Sequence, residues 1–204
     1  TLRIERHCDC CHSLRRDQAI DLDGRPPGRA MLADLLETPT LTTQTLPAAG
    51  LWELKPIARA ILFIDVAGSL RITRQLGDAR AYHLLKFLSD AIGRAKTNSG
   101  RVVRSLGDGF LLAFDSVDEA LAHAATAQAE AIRLTPNDIR LKIRCGVHYG
   151  EVIEADGDMF GVAVYLASRV TGHAHGGEIL LTDAAQATSQ RPDSAFNDFG
   201  PTLL

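Results

Sequence analysis

Two aspartates lie at the ends of predicted strands, one at the end of a strand and one in a turn between two strands. If these strands are neighbours in a sheet, the two carboxylates lie close together. Asp65 lies near the end of the apolar run 60–66, and Asp108 lies in a Gly-Asp-Gly turn between two predicted strands. A close carboxylate pair is either a proton-sharing dyad or a site for hard cations. Gly68 and Ser69 open a predicted helix whose first N–H groups favour an anion, so the pattern indicates a divalent metal with a triphosphate. Taken alone, Asp108 is more simply a turn residue, and Asp65 could cap the helix.

A second group of candidate ligands is the run His-Cys-Asp-Cys-Cys-His at residues 7–12. Cys8 and Cys11 have the spacing of half a zinc site, and His12 is a further candidate ligand. No second Cys or His pair completes the site, so metal binding, redox sensing and an ordinary tail all stay open. Cys145 lies in an apolar run and is predicted to be a small core residue.

Length and composition limit the classes of protein to which these residues can belong. The chain has 204 residues, 46% apolar and 23% charged, which excludes a disordered, collagen-like or rod-like protein for most of its length. Its net charge of -3 gives no electrostatic reason to bind nucleic acid or an anionic membrane. No apolar run reaches the roughly 18 residues of a membrane span, and no secretory signal is visible. We therefore expect a cytoplasmic domain, in which any contact with a membrane is made through segments outside this chain. The start at Thr1, without Met, indicates a cut or processed chain with further domains upstream.

The hydropathy pattern divides the sequence near residue 57. Residues 1–57 contain Pro-Pro and Thr-rich stretches and one short amphipathic helix, 30–36, so we expect a linker or partial regulatory segment. The predicted strands after it cover residues 60–66, 101–106, 110–115, 139–147, 150–155, 178–182 and 196–204; the longer predicted helices cover 69–96, 117–134 and 160–171. This order indicates an α+β fold, a ferredoxin-like sandwich with additions, in which helices pack on an antiparallel-rich central sheet.

Four segments of this region resemble the catalytic domain of class III adenylate and guanylate cyclases. They are residues 63–69 (FIDVAGS), 102–110 (VVRSLGDGF), 144–152 (RCGVHYGEV) and 161–169 (GVAVYLASR), in the order of the family. Each segment alone is weak evidence, but four in series make coincidence a poor explanation. The resemblance covers residues 58–204.

The resemblance implies an adenylate cyclase of signal transduction, which converts ATP to 3',5'-cyclic AMP and pyrophosphate. In this family an aspartate pair, here Asp65 and Asp108, binds two divalent cations, Mg2+ or Mn2+, together with the backbone at Val66. The family's sites lie between two chains arranged head to tail. A homodimer is therefore implied, and a single chain is expected to be inactive.

The resemblance also assigns the substrate-binding positions. The phosphate oxygens would be held by the backbone of Ala67, Gly68 and Ser69. Arg169 matches the arginine that stabilises the transition state. Arg104 and Asp158 match the two base-selecting positions. An aspartate accepts from the adenine 6-amino group and repels the guanine 6-carbonyl, so ATP is favoured over GTP, although adenylate cyclases of this type usually carry Lys at the position of Arg104.

Two features depart from the family pattern. Tyr165 stands near the ribose, where the family usually has Asn. The Lys that usually binds the triphosphate, shortly after the segment matching 199–203, is not in this sequence, and loss of such a contact costs roughly 1.5–3 kcal/mol. The alternatives are a degenerate cyclase-homology domain that binds nucleotide or dimerises without turnover, and a cyclase that prefers GTP or a pyrimidine nucleotide.

Overall fold

The computed structural model describes residues 2–7, 54–94, 100–105, 107–135 and 139–202. The strands are β1 (Leu2–His7), β2 (Ile57–Val66), β3 (Arg101–Ser105), β4 (Gly109–Phe114), β5 (Ile143–Ala155), β6 (Asp158–Phe160), β7 (Ile179–Thr182) and β8 (Asn197–Thr202). The helices are α1 (Ser69–Leu76), α2 (Asp78–Arg94), α3 (Val117–Arg133), α4 (Val162–His173) and α5 (Asp183–Thr188), with a 3-10 turn at Asp193–Ala195. The described strands form one mixed sheet in the order β3-β4-β2-β5-β7-β1-β8, and β6 pairs with β5 beside this order. The predicted α+β class is confirmed.

Strand β2 is buried on both faces, which explains its continuous apolar sequence. It pairs antiparallel with β4 on one side and with β5 on the other. Its even-numbered residues, among them Leu62 and Ile64, pack in the core formed with α2 and α3, whereas Ile61 packs with residues of α4. Because side chains alternate along a strand, the odd-numbered Asp65 lies on the α4 face of the sheet.

Helix α4 lies against β5 at a position where no side chain fits. A Cβ added to Gly146 would lie 2.3 Å from Oγ1 of Thr171 and 2.8 Å from the carbonyl oxygen of Ala167. Contacts under 3.0 Å essentially never occur for a real Cβ, so this approach requires glycine. The contact fixes how close α4, which carries Tyr165 and Arg169, comes to the sheet.

The single helix predicted over residues 69–96 is wrong, because Gly77 divides it into α1 and α2. Gly77 has φ 77°, in the left-handed region that glycine adopts without strain. Its N–H donates to the carbonyl of Thr73 at 2.8 Å, which ends α1, and its carbonyl accepts from the N–H of Ala81 at 3.0 Å, which begins α2. The apolar spacing continues through the break, so periodicity alone did not reveal it.

The strand predictions after α3 are partly wrong. The alternating apolar residues are buried as predicted, and Cys145 is 0% exposed, but the strand begins at Ile143 rather than Ile139. The separate strand expected at 150–155 is the continuation of β5. Residues Asp156 and Gly157, with φ 53° and 79°, then turn the chain into β6, so residue 160 ends a strand and α4 starts at 162.

The first described residues belong to the same sheet. Strand β1 lies between β7 and β8 and runs parallel to both. This strand was not predicted from the sequence. The amphipathic helix expected at 30–36 lies outside the described residues. Within the part of the chain that is described, no helix is both long and apolar enough to cross a membrane.

Candidate active site

The two predicted metal carboxylates come together at one end of β2 and β4. In the antiparallel register Asp65 lies opposite Gly109, which is the residue that follows Asp108. The N–H of Val66 donates to the carbonyl of Asp108 at 3.2 Å, which ties the turn to the end of β2. Both aspartates line a cavity of about 300 Å³ on the α4 face of the sheet.

The chemistry of these donors fits a hard divalent cation. Carboxylate oxygens are the ligands that Mg2+ prefers, and Mg2+ is commonly bound through one or two carboxylates plus substrate phosphates. Among the described residues no cluster of three or more His, Cys, Asp or Glu side chains could form a closed protein cage for a metal. Asp65 and Asp108 are both half-buried, so they remain accessible to an ion with its substrate.

The start of α1 lies beside this carboxylate pair. Gly68 has φ 73° and its carbonyl accepts the first helical hydrogen bond, from the N–H of Ile72 at 3.1 Å. The N–H of Ala67 instead donates to the carbonyl of Lys142 at 2.9 Å. The amides of Val66 and Ala67 therefore already donate within the chain. Of the three residues predicted to hold phosphate oxygens, Ala67 is thus occupied, which leaves Gly68 and Ser69.

The two predicted base-selecting residues contact each other directly. The Asp156-Gly157 turn places Asp158 at the start of β6, where Nη2 of Arg104 donates to its Oδ2. That hydrogen bond lowers the pKa of the Asp158 carboxyl, as does the bond from the N–H of Met159, and it raises the pKa of Arg104. Each side chain keeps its charge at neutral pH, so a cation and a carboxylate are presented side by side.

An aromatic pair lies next to this ion pair. Phe160 lines the same cavity, about 300 Å³, as Arg104 and Asp158. Its ring meets that of Tyr165 edge-on, with centroids 6.1 Å apart, and both rings are more than half exposed. Arg169 lies one helical turn after Tyr165 and is exposed, so the two side chains share one face of α4.

The predicted site residues therefore form two separate groups on one chain. Asp65 and Asp108 line one cavity, while Arg104 and Asp158 line another. The candidate ligands Cys8, Cys11 and His12 lie outside the described residues.

Sequence reasoning missed Arg144, which contacts Asp65, one of the two predicted metal carboxylates. Its Nε donates to Oδ2 of Asp65 at 2.7 Å, and its Nη2 lies 2.5 Å from the same oxygen. Arg144 and Asp65 are direct cross-strand neighbours in β5 and β2. The residue opens one of the quoted motifs, but the signal that pairs it with Asp65 is strand register, which a single sequence does not show.

Comparison with known proteins defines the class to which this fold and site belong. Residues 57–204 match the model of the adenylate and guanylate cyclase catalytic domain, and the chain belongs to this family. An adenylate cyclase of Glutamicibacter nicotianae is 28% identical over 142 residues, covering 69% of this chain and 34% of that protein. An adenylate cyclase of Streptomyces coelicolor is 31% identical over 126 residues, covering 61% of this chain and 32% of that protein.

A solved structure supports the same class. The adenylate/guanylate cyclase/hydrolase from Silicibacter pomeroyi superposes with a TM-score of 0.52 and 29% identity, covering 68% of this chain and 85% of that one. The chain spans about a third of the length of the two curated relatives above. Because residues 57–204 match the family model, this chain carries a cyclase catalytic domain.

Proposed function

We propose that this domain is an adenylate cyclase, which converts ATP to 3',5'-cyclic AMP and pyrophosphate at sites shared between two chains of a cytoplasmic homodimer. The observation that carries the preference for adenine is the contact between Arg104 and Asp158 in a cavity that Phe160 also lines. With Asp158 at the 6-position of the base and Arg104 at N1, as the family resemblance assigns them, guanine would present a carbonyl to the carboxylate and an N–H to the guanidinium, and neither pair could form a hydrogen bond. The similarity to bacterial adenylate cyclases supports the same choice.

The metal-binding half of the proposed site consists of Asp65, Asp108 and the backbone at Val66. When bound, two divalent cations would supply Lewis acidity, which lowers the pKa of the ribose 3'-hydroxyl and neutralises triphosphate charge. The residues of the chain hold the substrate for in-line attack. In that reaction the 3'-oxygen forms a bond to the α-phosphorus as the bond to pyrophosphate breaks.

The second half of the proposed site binds the base and stabilises charge. Arg104 donates to a ring nitrogen of adenine, and Asp158 accepts from its 6-amino group. Arg169, with a planar and permanently charged guanidinium, faces the transferring phosphoryl group and stabilises its transition state. Tyr165 lies beside the ribose.

The proposed dimer follows from the separation of these two halves. The carboxylates and the base-selecting pair line different cavities of one chain. A head-to-tail pair of chains would bring the first group of one protomer to the second group of its partner. One isologous interface would then complete two sites.

The test is turnover of each nucleotide by the purified chain. The protein is incubated with Mn2+ and ATP, GTP, CTP or UTP, and cyclic products are identified by mass. We expect cyclic AMP from ATP, a loss of at least about 100-fold in D108A, and retained activity in D193A, which removes an exposed carboxylate from the 3-10 turn. D158A should lose the preference for ATP over GTP.

The outcomes separate the proposal from its alternatives. Full activity in D65A or D108A would refute the assigned metal site. An unchanged ATP/GTP ratio in D158A would refute the base assignment. A chain that binds nucleotide but forms no cyclic product, even when extended beyond Leu204, would be a degenerate domain. The observation that favours this alternative is Tyr165, which stands where the family usually has Asn.

A further inference from the structure

An ion pair in the cavity that Asp65 and Asp108 line joins Arg144 to Asp65. Nε of Arg144 donates a hydrogen bond to Oδ2 of Asp65 at 2.7 Å, and Nη2 lies 2.5 Å from the same oxygen. The remaining nitrogen, Nη1, donates to the carbonyl of Gly172 near the end of α4 at 3.3 Å. Arg144 is thus anchored both to the carboxylate and to the helix that packs over it.

This arrangement leaves little room for a cation on the same oxygen. Oδ2 accepts a charge-assisted hydrogen bond from Nε, which is stronger than a neutral one, and Nη2 adds an ion-pair contact with the same oxygen. The guanidinium also places a positive charge beside Asp65. Arg144, Asp65 and Asp108 line the same cavity, and a cation bound there would have a fixed positive charge within it.

We propose that Arg144 competes with the divalent cation for Asp65 and so sets the metal concentration at which the site fills. In the metal-free chain Arg144 holds Oδ2 of Asp65 as a latch, and a cation that binds through this oxygen must displace the contact. This inference rests on the proposed metal site, but it concerns the empty protein and makes no use of turnover.

The experiment measures Mn2+ binding to the full chain without nucleotide, by electron paramagnetic resonance of the unbound ion. R144Q removes the charge and the forked contact. R59Q is the matched control, because Arg59 lies at the opposite end of β2, where it is paired with Glu154 and Asp115. The Arg144 and Asp65 side chains are 33% and 28% exposed, so we expect R144Q to bind Mn2+ about two- to five-fold more tightly and R59Q to match the unaltered chain.

A lysine variant separates direct competition from a general effect of charge. R144K keeps the positive charge but loses the fork that reaches Oδ2 through two nitrogens. The latch predicts an Mn2+ affinity for R144K above that of the unaltered chain. If R144K equals the unaltered chain, the latch is overturned, whatever R144Q does. Should R144Q fail to fold, as judged by circular dichroism, R144K alone decides.

A third variant distinguishes this proposal from the metal site on which it rests. D65N should weaken Mn2+ binding strongly. If D65N has no effect, Asp65 is not a metal ligand and both proposals fail. If D65N weakens binding while R144Q and R144K leave it unchanged, the metal site stands and the latch alone is refuted.

Discussion

The close approach of α4 to β5 makes a quantitative prediction for G146A. The added Cβ would lie 2.4 Å from the backbone nitrogen of Thr171, about 1 Å inside the 3.4 Å at which ordinary contact begins. A backbone atom cannot rotate away, so α4 must shift as a whole. Overpacking costs typically about 1–3 kcal/mol, and here three atoms are hit, two of them backbone, so we expect a loss of about 3 kcal/mol.

Urea denaturation followed by circular dichroism measures this loss in the free energy of unfolding. G93A is the matched control, because Gly93 lies in the last turn of α2 and, apart from its chain neighbours and the backbone of its own helix, no heavy atom of the described residues stands within 4 Å of the position that a Cβ would take there. That variant should be more stable by about 0.5–1 kcal/mol, from helix propensity alone. If G146A unfolds at the same urea concentration as the unaltered chain, the close packing of α4 on β5 is wrong. Because α4 carries Arg169, a shifted helix should also lower cyclase activity.

Three further predictions test other parts of the described chain. Burial raises the pKa of the Cys145 thiol well above its ordinary 9.0. In a C8S/C10S/C11S variant, whose one remaining thiol is Cys145, no reaction with a disulfide reagent is expected until urea is added. Labelling in the native state would contradict the burial. The contact with Arg104 lowers the pKa of Asp158, so R104A should raise that pKa toward 3.8, as measured by NMR titration. Because the folded-state pKa is the lower one, the contribution of the ion pair to stability is present above pH 4 and is lost as the pH falls through the folded-state pKa. S116A removes the side chain that accepts from the N–H of Glu119 at the start of α3 and should cost about 1 kcal/mol in urea denaturation, and an unchanged midpoint would show that this cap is not formed.

The parts of the site that the sequence predicted depend on local signals. The apolar run before Asp65 predicts a buried strand, and the Gly-Asp-Gly turn at Asp108 predicts a hairpin; β2, β3 and β4 confirm both. The Asp-Gly pair before Asp158 is an equally readable hairpin signal, but the prediction made no use of it, assigned no strand at 158–160 and placed residue 160 in a helix. The ion pair of Arg144 required knowledge of which strands are neighbours and in which register, and these are properties of the whole sheet.

The β3–β4 hairpin also explains how two residues four positions apart can face different cavities. The register of β3 against β4 shifts between Val102 and Arg104, so one residue is inserted there. A bulge of this kind increases local twist and redirects the next side chain. Arg104 then reaches β6, where it meets Asp158, while Asp108 stays at the turn beside Asp65. One short hairpin thereby supplies a residue to each half of the proposed site, so that in the proposed homodimer a nucleotide would meet Asp108 of one protomer and Arg104 of its partner.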